Sequence, residues 1–280
     1  MSNNGSRPPV RYRLLACDID DTLVRFPNPP SARVTWAIRR AVGSGVMVVL
    51  VTGRAFRRAQ PIAQELGLTT PIICNHGGSI RDAVDGRMVY RRTMARALTL
   101  NLVTWLQAQQ VCNLVFDGDL VYHDCLADEV VPDFQVYTRG EQSFFARDLR
   151  PYIPQETEVV LSTSKSHEHM AQVYERASAR WGASVRVLFS HSFGMDIMPC
   201  SSKSQALSWL VEHSGILQQE VMAVGDGSND ADMLSWAGLG IALGNGAVEA
   251  QAAADVIAPP FDQDGLAWAI ERYLLPLASE

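Results

Sequence analysis

The N-terminal third of the chain alternates between short apolar runs and amphipathic segments. Three runs, Leu14–Cys17, Val46–Val51 and Ile72–Cys74, have no polar face, which is typical of strands buried on both sides of a parallel sheet. Between them, apolar residues recur at helical spacing after Ser31 and again over Arg54–Leu66. This strand–helix–strand–helix–strand order predicts parallel pairing, and therefore a doubly wound, Rossmann-like α/β sheet.

The middle of the chain has a different pattern. Two short apolar runs on either side of Asp117-Gly118-Asp119 predict a β-hairpin, and further strand and helix patterns surround it. From Ser204 onward the alternation of helices and buried strands returns. We therefore expect one α/β core built from residues 1–83 and 190–280, interrupted by an inserted α+β domain over residues 84–189.

Acidic residues follow two of the predicted core strands. Asp18 and Asp20 come directly after the first strand and point the same way on an extended segment, while Asp226 follows a later strand. Ligands of open α/β sheets bind beyond the carboxyl ends of the strands, so these carboxylates are expected to meet in one crevice. Such a cluster repels itself without a cation, and a set of oxygen ligands alone favours Mg²⁺.

An anion pocket is predicted beside this metal site. Thr52 can donate a hydroxyl hydrogen bond, Gly53 a backbone N–H and Lys203 a point charge. Lys203 is one of only two lysines among 24 basic residues, which favours a specific role for its compact ammonium group. The residues together indicate phosphoryl chemistry, with one aspartate as the nucleophile and the other as a proton shuttle.

Composition narrows the classes of partner and compartment. The net charge of −6 without a basic run argues against a nucleic-acid partner, because that affinity comes mostly from neutralised phosphates. The N-terminal residues do not have a signal-peptide pattern, and the apolar runs are far shorter than the roughly 20 residues of a membrane span. The five scattered cysteines favour reduced thiols. We therefore expect a cytoplasmic protein without a membrane partner.

Four segments together resemble a known family. Asp18–Leu23, Val51–Arg54, Lys203 and Gly225–Asp230 are similar, in order, to the four motifs of the haloacid dehalogenase-like phosphatases. The chain most resembles their Cof-type subgroup, in which a type IIB cap is inserted after the third strand. The resemblance implies that residues 84–189 are this cap, which closes over the site and selects the leaving group.

The resemblance also implies a role for each site residue. Asp18 would attack phosphorus, and Asp20 would protonate the leaving alcohol and then deprotonate the hydrolytic water. The Asp18 carboxylate, the Asp20 backbone carbonyl and Asp226 would bind Mg²⁺, and Asp230 would orient metal-bound water. The phosphate oxygens would be held by Thr52, Gly53, Lys203 and Asn229. His76 departs from the family, which usually has Asn-Gly-Ala in this loop.

Three functions are compatible with these residues. The first is a Mg²⁺-dependent phosphatase acting on a small phosphorylated metabolite, with sugar phosphates as the favoured class. The second is a phosphomutase of the same superfamily, which needs a second phosphate site; the candidate residues for it are Arg87, Arg91, Arg92 and Arg96. The third is a non-catalytic phosphate-binding or regulatory protein, against which the large insert and Asp20 argue.

Overall fold

The computed structural model describes residues 12–117, 120–126, 142–191 and 193–275. In chain order the strands are β1 Leu14–Cys17, β2 Met47–Leu50, β3 Ile72–Cys74, β4 Ser79–Arg81, β5 Met88–Arg91, β6 Met94–Ala95, β7 Cys112–Asp117, β8 Leu120–His123, β9 Gln142–Phe145, β10 Glu156–Thr157, β11 Val160–Thr163, β12 Val185–His191, β13 Gly194–Pro199, β14 Val221–Gly225, β15 Leu239–Leu243 and β16 Val256–Ala258. The helices are α1 Ala32–Gly43, α2 Phe56–Leu66, α3 Arg96–Gln107, α4 His167–Trp181, α5 Lys203–Ser214, α6 Ala231–Trp236, α7 Val248–Ala253 and α8 Gly265–Tyr273.

The described chain divides into two compact units. The first is formed by the residues up to Tyr90 together with those from Ser202 onward, and the second is Arg91–Ser201. The sequence pattern places the two junctions earlier, at 83/84 and 189/190. The first junction lies later in the structure because β4 and β5 extend from β3, and the second because β12 and β13 belong to the sheet of the second unit.

The first unit contains the parallel sheet that the apolar runs predict. Its strand order is β16-β15-β14-β1-β2, and all four pairings are parallel. β2 follows β1 on one side of it, whereas β14, β15 and β16 follow one another outward on the other side. The direction in which strands are added therefore reverses between β1 and β14. Cys17, the last residue of β1, lies level with Val224 and Leu50 on its neighbours. Residues that follow β1, β2 and β14 therefore leave the sheet at one edge, at a topological switch point.

Helices cover both faces of this sheet. Alternate residues of β1 point to opposite faces, so that Leu15 packs in a core with α1, α2 and α8, while Leu14 packs in a core with α5 and α6. The helix ends follow local rules: the Ser31 hydroxyl accepts a hydrogen bond from the Val34 N–H at 3.1 Å, and α2 ends at Gly67 in the left-handed region. The doubly wound fold class is thus confirmed.

The second unit is an α+β module with its own core. Its main sheet has the order β12-β13-β11-β7-β8-β9, and β6 pairs with β10 in a two-stranded sheet. Helices α3 and α4 contribute Leu102, Leu106, Met170 and Val173 to a core with buried residues of β7, β11 and β13. The predicted hairpin is present as the antiparallel pair β7–β8, although its turn residues 118–119 lie outside the described residues.

The expectation of reduced thiols is wrong for one pair of cysteines. Cys112 and Cys125 form a disulfide, with their Cα atoms 4.7 Å apart. The hairpin register explains the pairing: Leu114 lies opposite His123, which places the first residue of β7 level with position 125. Cys17, Cys74 and Cys200 are not disulfide-bonded.

Within the described residues, none of the helices combines the length and the apolar character that crossing a membrane requires.

Candidate active site

Asp18 lies at the switch point, directly after β1. It is 6% exposed, and its backbone N–H donates to the carbonyl oxygen of Val224 at 3.0 Å, which ties it to β14. Its Oδ1 accepts a hydrogen bond from Lys203 Nζ at 2.6 Å. The structure therefore brings together two predicted site residues from opposite halves of the chain.

Lys203 is the first residue of α5 and is completely buried. Ser202 precedes it as the N-cap, and its hydroxyl accepts from the backbone N–H of Gln205, which sets where the helix begins. Lys203 Nζ donates to Asp230 Oδ1 at 2.5 Å as well as to Asp18. Burial lowers the pKa of Lys203, but the charges of the two carboxylates raise it by more, so the pKa lies above its ordinary value. The ammonium group is thus a permanent positive charge between two carboxylates.

Asp226 and Asp230 lie in the turn after β14. Asp230 Oδ2 accepts hydrogen bonds from the N–H groups of Asp226, at 3.1 Å, and Gly227, at 2.8 Å, and so holds the turn in shape. A Cβ atom on Gly225 would lie 2.6 Å from Asp230 Cγ, so the carboxylate needs glycine there. Asp226 Oδ1 accepts from the Thr22 hydroxyl at 2.6 Å, which links this turn to the segment after β1.

The carboxylates of Asp18, Asp226 and Asp230 each offer an oxygen within 4.8 Å of the others. Three carboxylates and the single charge of Lys203 leave the cluster short of positive charge. Burial, together with the charge of Asp230, raises the pKa of Asp18 against the opposing effect of Lys203. Burial likewise raises the pKa of Asp226 to about 6, although the Thr22 hydrogen bond lowers it. A divalent cation bound by oxygen ligands would supply the missing charge, so the donor set fits Mg²⁺.

Asp20 does not join this carboxylate cluster. Its side chain is 54% exposed and forms a two-pronged ion pair with Arg54, with Nε–Oδ2 and Nη2–Oδ1 distances of 2.9 and 2.5 Å. The Arg54 side chain is only 11% exposed, so the arginine is the more firmly held partner. The guanidinium group thus sets the position of the Asp20 carboxylate.

Thr52 and Gly53 form the turn after β2. Thr52 is fully buried, its Oγ1 accepts from the Arg54 N–H at 3.1 Å, and its carbonyl oxygen accepts from the His76 N–H at 3.0 Å. The His76 ring lies directly over Gly53, because a Cβ atom there would be 2.3 Å from the ring carbon Cε1. On its other side, His76 Nδ1 lies 3.0 Å from Asn229 Nδ2. Predicted phosphate-binding residues from two loops are therefore joined through one imidazole.

Three residues of this site have no role in the sequence-based interpretation. Thr22 and Arg54 lie within the motif segments that carry the resemblance, but nothing in the sequence names their partners, Asp226 and Asp20. His76 stands out in the sequence as a departure from the family pattern, in a loop where contact with the substrate is left open. Each acts through a contact between separate loops, which spacing along the chain does not reveal.

Comparisons with known proteins concern the whole chain and its fold. A family model for haloacid dehalogenase-like hydrolases matches residues 15–270. The chain is 29% identical to an Arabidopsis thaliana protein named endoribonuclease YBEY, chloroplastic, over 94% of this chain but only 47% of that protein. It is 26% identical to the Bacillus subtilis 5-amino-6-(5-phospho-D-ribitylamino)uracil phosphatase YitU, over 93% of this chain and 97% of the relative. A crystal structure of a haloacid dehalogenase-like hydrolase from Bacteroides thetaiotaomicron superposes with a TM-score of 0.83 at 27% identity, covering 94% of this chain and 99% of that one.

Proposed function

Because the chain belongs to the haloacid dehalogenase-like hydrolases, we propose that it is a Mg²⁺-dependent phosphatase that hydrolyses a small phosphorylated metabolite through an aspartyl-phosphate. The observation that carries this proposal is the buried Lys203 bonded to Asp18 at the switch point of the sheet. The cluster combines a carboxylate nucleophile, a permanent cation and further oxygen ligands in one crevice. These are the groups that phosphoryl transfer requires.

In the first step, an Asp18 oxygen attacks phosphorus and the bond from phosphorus to the leaving-group oxygen breaks. Asp20, once protonated and released from its ion pair with Arg54, donates its proton to that oxygen, so that a neutral alcohol departs. In the second step, Asp20 takes a proton from water, the water oxygen attacks phosphorus, and the bond to Asp18 breaks to release phosphate. In its ionised form, Asp20 is held next to the turn that contains Gly53 by the ion pair with Arg54.

The metal would be held by Asp18, Asp226 and the backbone carbonyl of Asp20, with Asp230 supporting its ligands. When bound, Mg²⁺ supplies positive charge that keeps the nucleophile ionised and reduces its repulsion of the phosphate anion. Asp230 also orders the turn that carries Asp226, through its bonds to two backbone N–H groups.

The phosphate oxygens would be bound by Thr52, Gly53, Lys203 and Asn229. Lys203 supports this assignment best, because its ammonium group is already charged and already bonded to the nucleophile. Charge of this kind, placed where the transferring group gains negative charge, needs no reorganisation during the reaction.

The leaving group would be selected by the second unit, with sugar phosphates and related phosphorylated metabolites as the substrate class. A relative named as a phosphatase of a phosphoribityl compound supports this class. Arg91, one of the arginines that a phosphomutase would use for a second phosphate, is ion-paired with Glu156. The cytoplasmic location expected from the sequence stays a prediction.

Release of phosphate from p-nitrophenyl phosphate tests the proposal. Wild-type protein should turn over with Mg²⁺ and stop when EDTA is added, and Asp18→Asn should lower kcat by at least about 10³-fold. Asp21→Asn is the matched control, because Asp21 lies in the same segment but its carboxylate pairs with Arg25 instead. Equal rates for the Asp18→Asn variant and wild type would refute the assignment of the nucleophile.

A further inference from the structure

The loop after β3 has an unusual backbone. Asn75, His76 and Gly77 all have positive φ, at 51°, 52° and 89°. Glycine adopts this region freely, whereas a residue with a Cβ atom meets steric strain there. A histidine at the centre of such a turn indicates that its side chain has a use that outweighs the strain.

The backbone of this loop is anchored without the imidazole. The His76 N–H donates to the Thr52 carbonyl oxygen at 3.0 Å. A Cβ atom on Gly77 would lie 2.1 Å from the Ser202 carbonyl oxygen, so the loop packs directly against the start of α5, whose first residue is Lys203. Contacts of the main chain thus hold the loop in place, and the ring is left with a separate role.

His76 is 8% exposed, and its ring lies between Gly53 and Asn229. In this arrangement the Asn229 amide nitrogen donates to Nδ1, a contact that requires the tautomer with the ring proton on Nε2. The Asn229 amide oxygen lies on the opposite side, 2.3 Å from where a Cβ atom on Gly227 would be. If the amide flipped, its oxygen would face Nδ1, and the contact would require the other tautomer, with the ring proton on Nδ1.

We propose that His76 is a positioning residue that holds the NH₂ end of the Asn229 amide toward the Gly53 turn, where it can donate to a phosphate oxygen. The inference rests on the proposed function, because phosphate is the ligand that Asn229 would bind. An amide held the other way would present its oxygen to the anion. His76 therefore sets phosphate affinity through Asn229 without touching the reacting atoms.

Two substitutions distinguish the effect of the His76 hydrogen-bond acceptor from the effect of the loop backbone. His76→Gly removes the ring and suits the left-handed backbone, so the turn is expected to persist. His76→Asn also tolerates this backbone and places an amide oxygen close to the position of Nδ1. Isothermal titration calorimetry with inorganic phosphate in the presence of Mg²⁺ should show binding about tenfold weaker for His76→Gly and within about threefold of wild type for His76→Asn.

The kinetic result should follow the binding result. For p-nitrophenyl phosphate, His76→Gly should raise KM by about the same factor and change kcat less, because the groups that transfer protons are untouched. In an Asn229→Ala background, adding His76→Gly should change phosphate affinity by less than about twofold, since His76 acts through the amide that is already absent.

Nitrogen-15 NMR tests the same assignment without turnover. Among the six histidines, the signals missing from the spectrum of His76→Asn identify His76, and they should show an unprotonated Nδ1 and a protonated Nε2. The opposite tautomer would overturn the inference. So would a His76→Gly variant that binds phosphate as tightly as wild type, or His76→Gly and His76→Asn variants that lose the same amount of phosphate affinity. A full tenfold loss of phosphate affinity on adding His76→Gly to the Asn229→Ala variant would overturn it as well. Wild-type protein that neither binds phosphate nor hydrolyses p-nitrophenyl phosphate would overturn the proposed function and this inference together. Hydrolysis by wild type with an unaffected His76→Gly variant would overturn this inference alone.

Discussion

Replacing Lys203 with methionine should be among the most destabilising single changes in this protein. Lys203→Met keeps a chain of similar length but removes two hydrogen-bonded ion pairs, at 2.6 and 2.5 Å, whose partners Asp18 and Asp230 are both buried. Removing one partner of a buried ion pair costs about 3–5 kcal/mol, because the remaining charge is left uncompensated. For a unit of this size, the melting temperature should fall by roughly 10 °C.

The loss should grow as the pH rises. Burial and the charge of Asp230 already raise the pKa of Asp18 in the folded protein, and Lys203 opposes them. Without Lys203 the folded-state pKa rises further above the unfolded value of about 3.9. A group with a raised folded-state pKa stabilises the fold fully only below its unfolded pKa, and that contribution is lost as the pH rises through the folded pKa. Lys203→Met should therefore be less stable at pH 8 than at pH 5.

Differential scanning calorimetry at the two pH values, in EDTA, measures both effects. Lys165→Met is the matched control: Lys165 is the other lysine of the chain and is exposed, so this change should alter stability by no more than about 0.5 kcal/mol. A melting temperature of Lys203→Met equal to that of the control would refute the role of the buried ion pairs. An equal loss of stability at pH 5 and pH 8 would refute the predicted pH dependence.

Three further outcomes are expected. Gly53→Ala should raise the KM for p-nitrophenyl phosphate by roughly tenfold, because its Cβ atom would lie 2.3 Å from the His76 ring. Gly43→Ala is the control and should leave KM unchanged, because nothing lies within 4 Å of its Cβ atom. Similar KM values for the two variants would contradict this expectation. The Mg²⁺ concentration for half-maximal activity should increase as the pH falls below about 6, where protons compete for Asp226. Thr22→Val should move that increase to higher pH, because it removes the hydrogen bond that lowers the pKa of Asp226. The same dependence of the Mg²⁺ requirement on pH in wild type and Thr22→Val would argue against this role of Thr22. A thiol-reactive dye under denaturing, non-reducing conditions should count three thiols per chain, since the hairpin disulfide takes up two of the five cysteines. A count of five would show that the pair is reduced.

Local pattern was sufficient for the core of the fold. The run Leu14–Cys17 is a buried strand as predicted, and the equally apolar run Leu239–Leu243 is another buried strand of the same sheet. Ser166 caps a helix, as its position before an amphipathic segment indicates, and Gly215 ends one in the left-handed region. These features depend on a few neighbouring residues, so the sequence alone contains their cause.

The strand Gly194–Pro199 shows where local pattern was insufficient. It begins with glycine and ends with proline, both poor strand formers, yet it pairs with a strand on each side. Val256–Ala258 is similarly too short to be recognised, but it completes the edge of the parallel sheet. Pairing with neighbouring strands determined both elements, because the hydrogen bonds of the sheet compensate for their weak intrinsic strand propensity.

Residue types alone were sufficient to nominate a candidate site. Carboxylates after two apolar runs, together with one of only two lysines, were sufficient to nominate Asp18, Asp226 and Lys203, because parallel strands carry their carboxyl ends to one edge of a sheet. In the tertiary structure these three residues lie close together, as the bond from Lys203 to Asp18 and the carboxylate cluster show, whereas Asp20 pairs with Arg54.

The partners within the site were decided only by the fold. The pairing of Asp20 with Arg54, and of His76 with Asn229, depends on how separate loops approach each other to within 3 Å. Periodicity along the chain specifies which face a residue occupies, but not which atom of another loop lies opposite it. That information exists only once the strands are in register and the turns are closed, and it determines how the predicted residues can act together.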